Sequence, residues 1–277
     1  MVLQAQEGLL TSAARRVLIA TAVPQERDAV ARAFPATDRP RQVRLPGAQL
    51  HRMVVGTTDV HRVVAATTDA AAPAATCFDL LAAGVGPARA AAATATALTA
   101  ATLAGEPYDL VVSTGIGGGF APGAPVGALV VADRITVADL GAEAPGSADG
   151  FLPVTALGFG TVTHHCPESL AGALAAALDC VTGEVLTVST VTGSAARTAE
   201  LRARHPRAVA EAMEGFGVAE AAAAHGCPVL EVRAVSNPVG PRDREAWRLG
   251  EAFAALTAGF RKFPQVLESW QGEGSEA

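Results

Sequence analysis

Apolar residues come in short runs along the chain, separated by alanine-rich stretches of helical character. Runs of Val, Leu and Ile bounded by Gly, Pro or polar residues predict strands at Arg16–Ala22, Asp79–Ala83, Leu110–Ser113, Ala128–Ala132, Gly183–Val191, Val209–Ala212 and Val229–Val235. Helix signals fall between them, at Pro24–Phe34 (which opens on a proline), Ala88–Leu103, Pro167–Leu178, Ala195–Arg204, Gly215–His225 and from Glu245 to Leu267. Val43–Val55 and Val60–Ala66 read as a β-hairpin or meander, and Gly141–Gly160 as loop carrying two phenylalanines. Strands and helices alternate, with no linker rich in Pro, Ser or charge. The pattern predicts one α/β domain over residues 15–268, a loose extension at 1–14 and a tail at 269–277. Its architecture is a three-layer α/β/α sandwich around a mixed, mostly parallel sheet. Ligand sites in such sheets lie beyond the carboxyl ends of the strands, so polar residues at strand exits take precedence.

Composition narrows the function classes. The 277 residues include 62 Ala and 28 Gly, and a charged fraction of 17% with mean hydropathy of +0.30 excludes a disordered chain. A net charge of −6 and a pI near 5.5 argue against a nucleic-acid partner bound by phosphate neutralisation. The four cysteines, Cys77, Cys166, Cys180 and Cys227, form no CxxC pair, and the six histidines form no HxxH or HExxH. That spacing predicts buried thiols in a reduced compartment and no metal. Met1–Ala14 lacks a basic start followed by an apolar stretch. The uncharged runs Ala90–Gly105 and Leu110–Ala132 are respectively too short and too broken by Gly and Pro to cross a membrane. A soluble, cytoplasmic protein with no membrane partner is expected.

The strand exits carry the candidate chemistry. Gly115-Ile116-Gly117-Gly118-Gly119 follows a strand, but Phe120-Ala121-Pro122-Gly123 comes next and breaks a helix instead of opening one. A dinucleotide loop is therefore disfavoured. The glycines are either tight turns or places where backbone approaches a ligand closely. Glu26 stands one turn beyond the first strand, as a helix-dipole partner or as a functional carboxylate. Glu214, in Met213-Glu214-Gly215, is either a helix-start residue or a carboxylate that grips vicinal hydroxyls. Asn237, in Arg233-Ala234-Val235-Ser236-Asn237, is a turn residue or a donor–acceptor for the edge of a 6-oxopurine.

These exits, in their order and spacing, resemble the nucleoside phosphorylase/nucleosidase superfamily. The likeness is strongest to the branch holding methylthioadenosine/S-adenosylhomocysteine nucleosidases and futalosine hydrolases. It is carried by Val17–Glu26, Gly84-Val85-Gly86, Asp109–Asp133 (DLVVSTGIGGGFAPGAPVGALVVAD), Ala210–Ala219 (AEAMEGFGVA) and Val232–Gly240 (VRAVSNPVG). The resemblance implies Glu26 as the glutamate that activates water, Glu214 as the holder of the ribose hydroxyls, and Met213 beside the sugar. It implies Arg233 near the nucleophile. Asn237 stands where adenine-specific nucleosidases keep an aspartate.

Asparagine suits hypoxanthine, so the resemblance implies release of hypoxanthine from futalosine in menaquinone biosynthesis. The alternatives are a 6-oxopurine nucleoside phosphorylase, an adenine nucleosidase, or a non-catalytic nucleoside-binding protein. Val191 takes the place of a base-stacking aromatic, which leaves Phe151, Phe159 or Phe216 to supply that face. Gly84, Gly117 and Thr192 join the expected substrate surface. Arg242 is a candidate for a carboxylate on the substrate's tail, with Trp247 as a wall, and Asp243 is a candidate proton source. No cofactor is implied. A homodimer or higher assembly is implied, with Phe151 or Phe159 reaching a neighbour's site.

Overall fold

The computed structural model describes residues 15–34, 41–55, 76–147 and 150–270. Its central strands are the apolar runs of the sequence: β1 (Arg15–Thr21), β4 (Thr76–Ala82), β5 (Leu110–Gly119), β6 (Leu129–Val137), β10 (Val181–Thr187), β11 (Ala208–Ala212) and β12 (Val229–Pro238). β2 (Arg41–Leu45) and β3 (Ala48–Val55) extend one edge, and β9 (Thr163–His165) pairs with β6. The sheet order is β11-β10-β6-β12-β5-β1-β4-β3-β2. The pairs β4–β1, β1–β5, β5–β12, β6–β10 and β10–β11 are parallel. β12–β6 and the β2–β3–β4 edge are antiparallel. β11 also pairs antiparallel with the end of β5, so β5, β12, β6, β10 and β11 close into a ring at the carboxyl end of β5.

Helices cover the sheet. α2 (Pro87–Leu103) packs on α5 (Gly215–Ala224), and α5 lies over β5 and β12. α1 (Pro24–Ala31), α6 (Leu249–Phe260), α7 (Phe263–Ser269) and α3 (Glu168–Leu178) form a second contiguous layer, and α4 (Ala195–Arg204) precedes β11. One large core runs through both layers, with Val17, Leu18, Ile19, Val111, Val112 and Leu230 fully enclosed. The mixed α/β sandwich expected from the pattern is present.

Several boundaries differ from the sequence reading, each for a physical reason. Gly115–Gly119 was expected in a loop, yet these residues continue β5 and pair with β12 and β11. Their missing side chains allow the close packing: a Cβ on Gly119 would stand 2.1 Å from the Ala124 carbonyl oxygen, and one on Gly117 2.8 Å from that of Glu211. β10 ends at Thr187, four residues before the expected end at Val191, and β12 runs on through Asn237 to Pro238. The expected helix Glu245–Leu267 is two helices, interrupted ahead of Pro264, which has no N–H to continue α6. The hairpin turns at Gly47 (φ +69°) inside the expected single stretch Val43–Val55. Its expected partner, Val60–Ala66, lies outside the described residues. The 141–160 loop contains a small hairpin of β7 (Gly141–Glu143) and β8 (Phe151–Pro153), followed by a 3-10 turn. Packed structure runs two residues past 268: Ser269 closes α7, and Trp270 is buried under the Arg15 guanidinium. All four cysteines are free, but only Cys166 is fully buried, and burial pushes its thiol up to about 12. Among the described residues no helix is long and apolar enough to cross a membrane.

An ion cluster ties the β1–β4–β3 edge together. Asp79 is fully buried and accepts from Arg52 Nε and Nη2 (2.8 Å each), Arg16 Nη2 (3.0 Å) and the Tyr108 hydroxyl (2.6 Å). Burial pushes its carboxyl up, but the hydrogen bonds from Arg52 and Tyr108 with the two arginine charges outweigh burial and hold it below the ordinary value. Asp79→Asn leaves two arginines around a neutral amide, and we expect a loss of about 3 kcal/mol in urea unfolding at pH 7. The carboxylate's contribution is full above its unfolded-state value and is lost as pH falls through the depressed folded value. The gap between wild type and variant should therefore close in acid.

Candidate active site

Of the polar residues singled out above, Glu26, Glu214 and Arg233 come together beside β5 and β12. Glu26 sits in the first turn of α1, where its carboxylate bonds both the helix start and strand β5. Its Oε2 accepts the N–H groups of Ala22 (2.9 Å) and Val23 (3.2 Å), which closes the helix start. Its Oε1 accepts the N–H of Ile116 in β5 (2.9 Å). The side chain is buried, and burial pushes its pKa above the ordinary glutamate value. The Arg233 charge and the N–H groups of Ile116 and Val23 oppose that push without cancelling it. Gly115 (φ +153°) is required here, since a Cβ would stand 2.6 Å from Glu26 Oε1 and 3.0 Å from Arg233 Nη1.

Arg233 is the hub. On β12 the two-residue period puts Glu231 and Arg233 on one face, although the other residues from Val229 to Val235 are apolar. Arg233 is 1% exposed. Its Nε donates to Glu231 Oε1 (2.8 Å), Nη2 to the Ser113 hydroxyl (3.1 Å), and Nη1 to Glu214 Oε2 (3.3 Å) and the Ile116 carbonyl (3.4 Å). Glu214 stands at the start of α5 but does not cap its own helix. Its carboxylate turns to Arg233, to the Met213 N–H (3.3 Å) and to the Gly86 N–H (3.3 Å). In the Gly84-Val85-Gly86 turn it is thus Gly86 that reaches Glu214, while the Gly84 N–H goes to the Ala22 carbonyl.

A second group lies around a cleft lined by Val191, Thr192, Asn237, Arg242, Asp243 and Trp247, among others. Asn237 is half-buried; its Nδ2 donates to the Pro238 carbonyl (3.0 Å) and its Oδ1 accepts from the Ser236 hydroxyl (2.9 Å). Thr192 is buried and gives both its N–H (2.8 Å) and its hydroxyl to the Glu211 carboxylate. Asp139 accepts the Ser189 N–H (2.8 Å), so two carboxylates hold the loop that carries Val191 to the cleft. The Arg242 guanidinium lies 6.0 Å over Trp247, and Asp243 accepts from the N–H of Glu245 (3.0 Å), closing a turn.

The remaining expected residues are placed as follows. Gly117, on β5, packs against β11 and β12, and its carbonyl accepts from the Ser236 hydroxyl (3.3 Å). Phe216 is buried in the first turn of α5, its ring 5.3 Å from that of His164. Phe151 belongs to the β7–β8 hairpin, with Arg204 4.5 Å over its ring, and it lines neither group. Phe159 is 68% exposed. The sequence reading passed over Glu231, Ser113 and Glu211. A charge inside an apolar strand was the available signal for Glu231 and Glu211. Chemically, the first group surrounds one guanidinium with three buried carboxylates. Such an arrangement favours positive charge on a bound group and holds a base beside it.

A covered, mostly parallel sheet with carboxylates at its strand exits is the frame of a known enzyme class. The model of the phosphorylase superfamily matches residues 16–262, and the chain belongs to that superfamily. Within it, the chain is 66% identical over 255 residues to the futalosine hydrolase of Streptomyces coelicolor, covering 92% of this chain and 97% of the relative, and it falls in that relative's family. The futalosine hydrolase of Thermus thermophilus is 34% identical over 59% of this chain and 72% of its own. Two solved structures share the fold. The 5′-methylthioadenosine/S-adenosylhomocysteine nucleosidase of Colwellia psychrerythraea, in complex with adenine, has a TM-score of 0.68 at 20% identity, covering 92% of this chain and 95% of its own. The futalosine hydrolase of Helicobacter pylori has a TM-score of 0.70 at 17% identity, covering 91% and 97%. The family and fold class expected from the sequence are borne out.

Proposed function

We propose that the chain hydrolyses the N-ribosidic bond of futalosine, releasing hypoxanthine and leaving dehypoxanthinyl futalosine, a step of menaquinone biosynthesis by the futalosine pathway. The observation that carries this reading is the 66% identity to a futalosine hydrolase along nearly the full length of both chains. The site supports it chemically. The bond from C1′ to the purine nitrogen breaks with its electron pair leaving on the base, so positive charge builds on the sugar and negative charge on the purine. Glu214 holds the ribose hydroxyls and faces the sugar's charge, with Met213 beside it. Glu26 takes one proton from water as the water oxygen bonds to C1′, and the purine nitrogen gains a proton. Asn237 donates to N7 or O6 of the departing base, whose flank is formed by Val191, Thr192, Gly117 and Phe216. Gly84 borders the sugar, and Arg242 and Asp243 meet the substrate at the cleft mouth, Asp243 as a proton source. No cofactor takes part. The enzyme acts in the cytoplasm as a homodimer or higher assembly, with Phe151 or Phe159 serving a neighbouring subunit.

The base preference supplies the test. Asn237→Asp removes the amide donor and places a carboxylate against O6. We expect kcat/KM for hypoxanthine release from futalosine to fall about 100-fold, the cost of replacing a donor to the 6-oxo acceptor by a carboxylate that repels it. Adenine release from methylthioadenosine should rise. Chromatography of both bases from parallel reactions measures this; a variant that keeps the wild-type preference would overturn the role of Asn237.

A further inference from the structure

Glu231 is the one carboxylate of the cluster with no assigned task. It is fully buried in β12, and its Oε2 has no hydrogen-bond partner among the described residues. Space for it is built in from another element. The Cα of Gly215, at the start of α5, faces the carboxylate so closely that a Cβ would stand 2.3 Å from Oε2 and 2.4 Å from Oε1. A buried carboxylate with an unpartnered oxygen is costly, and a structural role alone would be met as well by an apolar side chain.

The distances around Arg233 indicate what it does. The guanidinium is drawn to Glu231 at 2.8 Å, against 3.3 Å to Glu214. Every hydrogen bond that Glu214 receives is long: 3.3 Å from Arg233, from Met213 and from Gly86. Glu214 is therefore loosely held, with acceptor capacity and charge left over. We propose that Glu231 is a positioning residue for the glycosidic step: by holding Arg233 back, it keeps Glu214 from being neutralised, so that the Glu214 charge is available to the ribosyl cation. This rests on the role given to Glu214 above. The charged groups facing Glu231 are Arg233 on its own strand and Glu214 at the start of α5; the Cys166 thiol, just ahead of α3, also lies against it. Burial pushes the Glu231 carboxyl up and the bonded Arg233 pulls it down.

Because the sugar is neutral in the ground state and positive only in the transition state, the effect belongs in kcat and not in KM. Glu231→Gln keeps the shape and removes the charge. With the nucleoside that the wild-type chain cleaves, kcat should fall at least about tenfold while KM changes less than about twofold. Titration calorimetry should show the same loss in affinity for a nucleoside analogue with a protonated iminoribitol ring, and no loss for a neutral carbocyclic analogue. Equal losses for the two analogues, or an unchanged kcat, would overturn the assignment; the latter would mean that Glu231 is already neutral in the wild type. Should Glu231→Gln fail to fold, Ser113→Ala, which removes another anchor of Arg233, must lower kcat and cationic-analogue affinity in parallel. Failure of the wild type to cleave futalosine would instead overturn the proposed substrate and leave this comparison standing.

Discussion

Glu214→Gln should lower kcat for hypoxanthine release by about a hundred- to a thousandfold, the scale of losing one preorganised charge or donor at a reacting centre. The sign follows from the surroundings. Glu214 is buried beside Arg233 and Glu26, where water cannot screen the charge it offers to the sugar. The glutamine keeps two polar atoms for the ribose hydroxyls, so KM should rise far less than kcat falls. The fold should persist, because Arg233 remains anchored by Glu231 and Ser113. Steady-state kinetics on a variant with wild-type circular dichroism checks both parts. A kcat within threefold of wild type would remove Glu214 from the machinery.

Glu26→Gln should cost about 100- to 10,000-fold in kcat/KM, the span of general-base assistance. One N–H among Ala22, Val23 and Ile116 would then face the amide nitrogen, a loss of about 1–3 kcal/mol that a domain stable by about 5–15 kcal/mol survives. A pH signature accompanies it. Glu26 must be ionised to accept a proton, and burial places its pKa above the ordinary glutamate value. In the wild type, kcat/KM should therefore fall as pH drops through that raised value, with the acid limb above the usual carboxylate range. The residual activity of Glu26→Gln should lack this limb. An identical acid limb in wild type and variant would assign it to another group.

Much of this site was legible as sequence, because Glu26, Glu214 and Asn237 each stand within a few residues of the end of a strand that apolar patterning reveals. Arg16–Ala22 leads to Glu26, Val209–Ala212 to Glu214, and Val229–Val235 to Asn237. What patterning could not give was the part decided by neighbours distant in the chain. Gly115–Gly119 read as a loop because glycine lacks strand propensity, whereas the ring closure of β11 onto β5 needs residues without side chains. Glu231 shares a strand face with Arg233 two residues on, but the space for it comes from Gly215, sixteen residues back, and no periodicity rule links the helix start to that strand position. The Thr192–Glu211 tie was hidden for the same reason, since the loop and the strand that meet there are separated by helix α4. The break between α6 and α7 was available in Pro264 and was overridden by the amphipathic run on either side of it.

The central claim is that water, not phosphate, attacks the sugar of a hypoxanthine nucleoside, with Glu26 as its base. Hypoxanthine release from futalosine by the wild-type chain, followed by chromatography in phosphate-free buffer and again with added phosphate, tests this most directly. The expected result is release at the same rate in both, with dehypoxanthinyl futalosine as the other product. Release that requires phosphate and yields a sugar 1-phosphate would contradict it.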